Sequence, residues 1–367
     1  MKYIRLLVIL AAAIASLSAC KRGFNIEEDA PVETEDADRI FLGANESASW
    51  RLLIDDDNDT FTLENNSSPN SASSRYTLNG DFETTDDGWL QLNLNSSLNT
   101  EVDNDQILGI AIGETAIVLE PFTNVNDEWV PLVLSDDCPS NDLSGLAVML
   151  NRPSNTTDDD ASWIAQYTYD VSETRFEFTN GIALDPDFTS SNIFNQSSDT
   201  CTEGYVARSL GDHYLGNGAS LAELDNATVN NDGYTRALGL SSRALDALED
   251  LNSDNYVGLV REFATPDDAF NISASCTSGV CDIRLNDTPT FELSLQDSNR
   301  NLDSIDGVIT AQLRDVRASV SVLPTTRAIC MANSDIDTGS NTQQILLCTA
   351  QSPSNIESPL QILLSSQ

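Results

Sequence analysis

His213 is the only histidine of the chain, so any serine or cysteine nucleophile activated by an imidazole would have to pass its proton through this one ring. No G-x-S-x-G elbow occurs, and the adjacent Asp212 would point to the opposite face if the segment is a strand. Lying between Gly211 and Gly216, His213 is expected at a turn or strand end, outside any catalytic pair. The only lysines are Lys2 and Lys21, which removes Schiff-base chemistry, phosphate-cradling P-loops and S-x-x-K acylation. A glycosidase would need only two carboxylates at a fixed separation, and 58 acidic residues make such a pair available anywhere and identifiable nowhere. No catalytic residue is expected.

Hard oxygen ligands are abundant, so calcium is the one inorganic partner that the residue types allow. Two runs have carboxylate or amide groups at alternating positions: Asp55, Asp57 and Asp59, and Asn333, Asp335 and Asp337. Neither has the glycine at position six or the glutamate at position twelve of an EF-hand loop, since Thr60 and Thr338 hold the sixth place. Both fall where a hairpin must turn, and turn chemistry accounts for them without an ion. The reading is therefore no cofactor and no metal site, with calcium at these six residues as the alternative.

The formal charge of −40 excludes partners that carry dense negative charge. Such a surface repels nucleic acid and anionic headgroups, and no basic cluster offsets it. Asp outnumbers Glu by 39 to 19, and no lysine follows Lys21 while fourteen arginines run from Arg39 to Arg327. An acidic surface of this kind keeps a protein hydrated where salt screens like charges over about 8 Å or less.

Lys2 and Arg5, an apolar run from Leu6 to Ile14 and then small residues have the order of an export signal, and the run is too short to span a bilayer. The residues Leu17-Ser18-Ala19-Cys20 resemble the lipobox of bacterial lipoproteins. The resemblance implies a signal peptide over 1–19, cleavage before Cys20, and lipidation of that cysteine by three acyl chains. Several chains make attachment effectively permanent, since each buried methylene contributes about 0.8 kcal/mol. It implies attachment to the outer membrane as well, because Lys21 rather than an aspartate follows. Residues 20–38 are acidic and lack apolar periodicity, as a flexible tether would.

With Cys20 assigned to lipid by that resemblance, six of the seven cysteines remain, and an exported protein holds them as three disulfides with fifteen possible connectivities. Phe270, Ile272, Ala274 and Cys276 alternate on one strand and Cys281, Ile283 and Leu285 on the next, with Thr277 to Val280 between, so Cys276 and Cys281 face each other across a hairpin. Cys330 and Cys348 lie symmetrically about Gly339, and Cys138 and Cys201 are left as the third pair.

Short alternating runs supply the framework: Phe61 and Leu63; Leu90, Leu92 and Leu94; Tyr167, Tyr169 and Val171; Phe176 and Phe178. This is the period of half-buried antiparallel strands, and turn signals such as Asn79-Gly80 and Asp87-Gly88 separate them. The succession Trp50 to Ile54, Thr60 to Glu64, Tyr76 to Glu83 and Trp89 to Asn95 is similar in pattern to lipocalin-like β-meanders. Trp50, Trp89, Trp129 and Trp163 each open an apolar run after a polar turn and are expected to fill the core. A Ser-, Asn- and Asp-rich break at Asp185 to Thr200 divides the halves. Ala244, Leu245, Leu248 and Leu251 predict a short helix near 242–251.

The expected fold is mainly β, with two antiparallel sandwich or barrel-like modules, over 39–201 and 202–367, stapled by disulfides, with one short helix. The expected function is that of a non-enzymatic, lipid-anchored cell-envelope protein that binds or presents an envelope protein, a glycan or a lipid. Two alternatives follow from the same residues. A lipocalin-like carrier would hold an apolar ligand inside the first barrel, and a carbohydrate-active hydrolase would need exposed tryptophans beside paired acids.

Overall fold

The computed structural model describes residues 38–366 apart from 46–47, 67–73, 96–104, 123–127, 136, 151–162, 185–188, 198–200, 207–212, 217, 226–233, 263–267, 301, 303–304, 318–324, 339–341 and 354–358. The described residues belong to the compact unit Asp38–Gln367. Residues 1–37, with Cys20, the expected signal peptide and most of the expected tether, lie outside them.

The first part of this unit, from Arg39 to Leu134, forms an eight-stranded antiparallel barrel in simple chain order. Its strands are β1 (Arg39–Ala44), β2 (Ser49–Asp55), β3 (Thr60–Asn66), β4 (Ser74–Thr84), β5 (Leu90–Leu94), β6 (Gln106–Ile112), β7 (Ala116–Leu119) and β8 (Val130–Leu134), and β1 closes on β8 with Leu42 opposite Val133. Period-two alternation sends one face inward: Trp50, Leu52 and Ile54 of β2 are at most 1% exposed, and they meet Phe61, Leu63, Leu92, Ile107 and Leu132 from the other strands. Trp50 packs edge-on against Phe122 at 5.0 Å and donates its indole N–H to Asn45 Oδ1 at 3.1 Å. Among the described residues these side chains fill the inner face as one buried core.

An open sheet of eight strands follows. A meander of β9 (Leu143–Met149), β10 (Trp163–Asp170), β11 (Arg175–Ala183) and β12 (Thr189–Ser197) builds outward in one direction. The chain then crosses to the far edge and returns through β13 (Tyr205–Val206), β14 (His213–Leu215), β15 (Ala219–Asp225) and β16 (Tyr234–Leu240), which pairs with β9 at the centre. The sheet curls strongly. Phe176 on β11 stacks on His213 of β14 at 5.0 Å although five strand-to-strand steps separate them, about 24 Å in a flat sheet. Tyr167, Tyr169, Phe178 and Trp163 fill the same concave face. The break expected at Asp185 to Thr200 contains β12, so the two-module division at 201/202 meets three sheets instead, and the curled sheet is an addition to the expected pair.

The third sheet is again a closed barrel in chain order, from β17 (Ser253–Glu262), β18 (Asp268–Thr277), β19 (Val280–Leu285) and β20 (Thr288–Arg300) to β21 (Val308–Asp315), β22 (Thr326–Asp337), β23 (Thr342–Gln351) and β24 (Pro359–Ser366). Its interior holds Tyr256, Ile283, Phe291, Leu293, Leu346 and Ile362 together with four cysteines. The expected helix over 242–251 is absent. Residues 242–247 are irregular, and Leu248–Leu251 make one 3-10 turn. Leu245, Leu248 and Leu251 are buried against the barrel core, and Asp250 Oδ2 accepts the backbone N–H groups of Asp246 and Ala247 at 3.0 Å each. The i, i+3 apolar spacing serves an end-plug, because a ten-residue helix has little stability of its own and burial decides the conformation.

A shared core joins the three sheets. Leu42, Ile110, Val118 and Val133 from the outer wall of the first barrel, Leu146, Val148, Leu221 and Leu238 from the curled sheet, and Val257, Val308, Ile329, Leu347 and Leu363 from the outer wall of the second barrel form one buried cluster. Polar groups tie its rim. Gln343 accepts the Gly113 N–H at 2.7 Å and donates to the Ala111 carbonyl at 2.8 Å. Gly113 has φ +53° and a Cβ there would lie 2.8 Å from Ile336, so both conformation and space require glycine. Arg261 of β17 donates to Glu128 Oε1 at 3.2 Å, with the two side chains only 5% and 4% exposed, and its other amino group approaches the Leu150 carbonyl at 3.5 Å.

Two stability measurements follow. Trp50→Ala should cost about 3–5 kcal/mol in urea unfolding, whereas Val280→Thr, at a position 40% exposed, should stay within about 0.5 kcal/mol. Glu128→Ala should cost about 3–5 kcal/mol by stranding the buried guanidinium, and the paired change Glu128→Leu with Arg261→Met should recover most of that loss in a double-mutant cycle.

Candidate functional site

The six described cysteines lie in three bonds. Cys276–Cys281 and Cys330–Cys348 are direct cross-strand partners in β18/β19 and β22/β23, with Cα atoms 4.0 Å apart in each. Both sit inside the second barrel, each sulfur residue at most 2% exposed. Cys138–Cys201 spans 63 residues and joins the segment before β9 to the segment before β13, so it ties the long crossover of the curled sheet where the chain changes edges. His213 is 1% exposed within β14 and stacked on Phe176. It belongs to the aromatic core of the curled sheet, where no substrate could reach it.

Of the calcium candidates, Asp55, Asn333 and Asp335 have side chains engaged in turn or ion-pair contacts. Asp55 accepts the Asp57 and Asn58 backbone N–H groups at 3.1 and 3.0 Å and the Asn58 side-chain amide at 2.7 Å. These donors, the Asn58 amide foremost, hold its carboxyl below its ordinary range. Asp59 takes the left-handed turn conformation at φ 54°. Asn333 donates to the Ser241 carbonyl at 3.0 Å and accepts the Asp335 N–H at 3.0 Å, while Asp335 pairs with Arg243. Asp337 lies four residues on, at the end of β22. Among the described residues no group of three or more His, Cys, Asp or Glu side chains is placed to share a metal ion.

The tryptophans occupy core positions. Trp50, Trp129 and Trp163 are 0%, 3% and 7% exposed, and Trp89 is half-buried against the shared core. Three of the four are thus withdrawn from any sugar-stacking platform. The filled interior of the first barrel equally removes the volume that a carrier of apolar ligands would need.

Open space lies on outer walls. A cleft of about 500 Å³ on the second barrel is lined by Gln296, Leu302, Thr310, Gln312, Thr325 and Arg327, among others. It forms where β20 leaves its register with β21 between Leu295 and Arg300. Arg327 and Gln312 are direct cross-strand partners there, and Thr310 donates its hydroxyl to Gln296 Oε1 at 2.9 Å. A smaller cleft of about 240 Å³ on the curled sheet is acidic, with Asp142, Asp170, Glu173, Arg175 and Glu177 in its wall. Asp170 accepts the Glu173 and Ser172 N–H groups and the Ser172 hydroxyl at 2.8–2.9 Å, with the Glu173 amide the leading cause of its lowered pKa. Neither the Arg327 cleft nor the Arg261–Glu128 pair carries a local sequence signal. The first depends on an interruption of strand pairing, and the second joins residues 133 positions apart.

Glu120, just beyond β7, links the two barrels. It accepts the Leu108 N–H at 2.8 Å and the Asn271 side-chain amide of β18 at 2.6 Å. Burial outweighs both donors and raises its carboxyl pKa above the ordinary value.

No protein-family model matches the chain, and no curated protein does. Among solved structures, Transferrin Binding Protein B from serogroup B Neisseria meningitidis aligns at 8% identity and a TM-score of 0.28. A double mutant of Transferrin Binding Protein B from Haemophilus parasuis aligns at 10% identity and 0.25. Each alignment covers 87% of this chain, which spans about 65% of the length of either structure. At such TM-scores the likeness carries no argument about family or function. The electrostatics of the seam can be tested directly at Glu120. A carboxyl whose folded pKa is raised binds more protons folded than unfolded, so its contribution to stability falls as pH rises from about 4.5 through the raised value. Glu120→Gln removes that fall. Its stability relative to the unsubstituted chain should therefore increase over this interval in urea titrations at stepped pH, and level off above it.

Proposed function

We propose that this chain is a lipid-anchored, non-enzymatic protein of the bacterial cell envelope that binds or presents a partner through its outer walls. The observation that carries the reading is the filling of both barrels. The described aliphatic and aromatic side chains occupy the interiors, which favours contact with a partner at surfaces that carry the acidic residues and the clefts. The burial of His213 and of three tryptophans supports the same reading against nucleophilic and carbohydrate-hydrolysing alternatives. Three disulfides suit an oxidising compartment. The lipobox-like Leu17-Ser18-Ala19-Cys20 supports attachment through Cys20, and the tether at 20–38 gives the folded unit reach from the membrane. The partner is an envelope protein, a glycan or a lipid; the charge of −40 disfavours nucleic acid.

Cys20→Ala should move the protein from the membrane fraction to the soluble fraction of the expressing cell, with its melting temperature unchanged after purification. Continued sedimentation with membranes would remove the lipid-anchor reading.

A further inference from the structure

We infer that the 500 Å³ cleft on the outer wall of the second barrel is a binding site for a small hydroxylated carboxylate of the acidic-sugar class. The first reason is an unpaired charge. In this acid-rich chain arginines find carboxylates, as Arg39, Arg51, Arg175, Arg243, Arg314 and Arg317 do on the surface. Arg327 is half-buried in the cleft wall and, among the described residues, has neither an ion-pair nor a hydrogen-bond partner. A partly desolvated guanidinium with five N–H donors gains most from a planar carboxylate, which it can engage bidentately.

The second reason is the surplus of donors around it. Gln312, the cross-strand neighbour of Arg327, is exposed at the cleft, and among the described residues its amide has no hydrogen-bond partner. The Thr310 hydroxyl donates to Gln296 Oε1, which fixes that amide and leaves its Nε2 hydrogens for an acceptor. Leu302 gives the cleft an apolar edge against which the C–H face of a sugar ring can lie. The volume falls within the range of about 300–1,000 Å³ usual for small-molecule sites. The charge of the chain decides the anion. At −40 each further negative charge on a ligand is opposed by the field of the whole protein, so a monovalent carboxylate is favoured over a phosphate dianion.

The site rests on the proposed role in surface binding but not on the anchor, and the test keeps the two apart. The purified mature protein in detergent is titrated with D-glucuronate, with neutral methyl glucoside and with inorganic phosphate by isothermal calorimetry and ligand-observed NMR at 0.15 M salt. Glucuronate should bind at least about tenfold more tightly than the glucoside, and Arg327→Gln should weaken glucuronate by about tenfold while leaving the glucoside unchanged. Arg284→Gln, which removes an exposed arginine of β19, should change neither. Gln312→Ala, with the native melting temperature, should also weaken glucuronate and guards against misfolding of the Arg327 variant. Equal binding of glucuronate and glucoside, tighter binding of phosphate, or an unaltered affinity in folded Arg327→Gln would each overturn the assignment. Binding that persists in Cys20→Ala leaves it standing even if membrane attachment is lost.

Discussion

Burial on both faces of a few strands holds this protein together. A barrel strand needs only its inner face covered, and β2 and β19 obey this, with alternating buried and accessible residues along their lengths. The strands at the seam do not alternate. All four residues of β7 are buried, as are the first four of β8, and β23 carries an unbroken buried run through Ile345, Leu346, Leu347, Cys348, Thr349 and Ala350. Their inner side chains complete a barrel and their outer side chains complete the shared core with the curled sheet. Without that second covered face each barrel would expose a contiguous apolar wall of the kind that aggregates.

The polar groups of the seam follow from the same constraint. Where three sheets meet, backbone carbonyls lose water, the Leu150 carbonyl in a buried setting and the Ala111 carbonyl in a half-buried one, and donors from neighbouring sheets replace it. Gln343 supplies one and Arg261 approaches the other. The Arg261–Glu128 pair sits in that environment at 5% and 4% exposure. Its worth is relational: the pair adds little over a well-packed apolar replacement, but either member alone would be a stranded charge.

The same construction fills the barrel interiors with described apolar side chains, and the described open space lies on outer walls, where strand pairing is irregular. The break in register between Leu295 and Arg300 lets the cleft beside Arg327 form. The acidic residues elsewhere act mostly as turn formers and solubilising charge. Asp55 and Asp170 accept the backbone N–H groups of their own turns, and among the described residues no three acidic, histidine or cysteine side chains share a focus.

Much was legible because it is local. Alternation at Trp50, Leu52 and Ile54, or at Phe61 and Leu63, specifies a strand and its inward face from nearest neighbours alone, and Asn and Asp before glycine mark the turns. Cys276 and Cys281 face each other because the strands on either side of Thr277 to Val280 alternate in phase. The chemical exclusions, one histidine and almost no lysine, need no geometry at all. Tertiary structure alone decided the rest. Leu245, Leu248 and Leu251 have helical spacing, yet the open end of a barrel makes them a plug. The stretch Asp185 to Thr200 has the composition of a linker, yet β11 provides a ladder for β12 within it. The curled sheet arises because β16 pairs with β9 across a crossover, a contact with no trace in the intervening residues. Local sequence fixes which way side chains face, but which surface covers them depends on chain segments a hundred or more residues away.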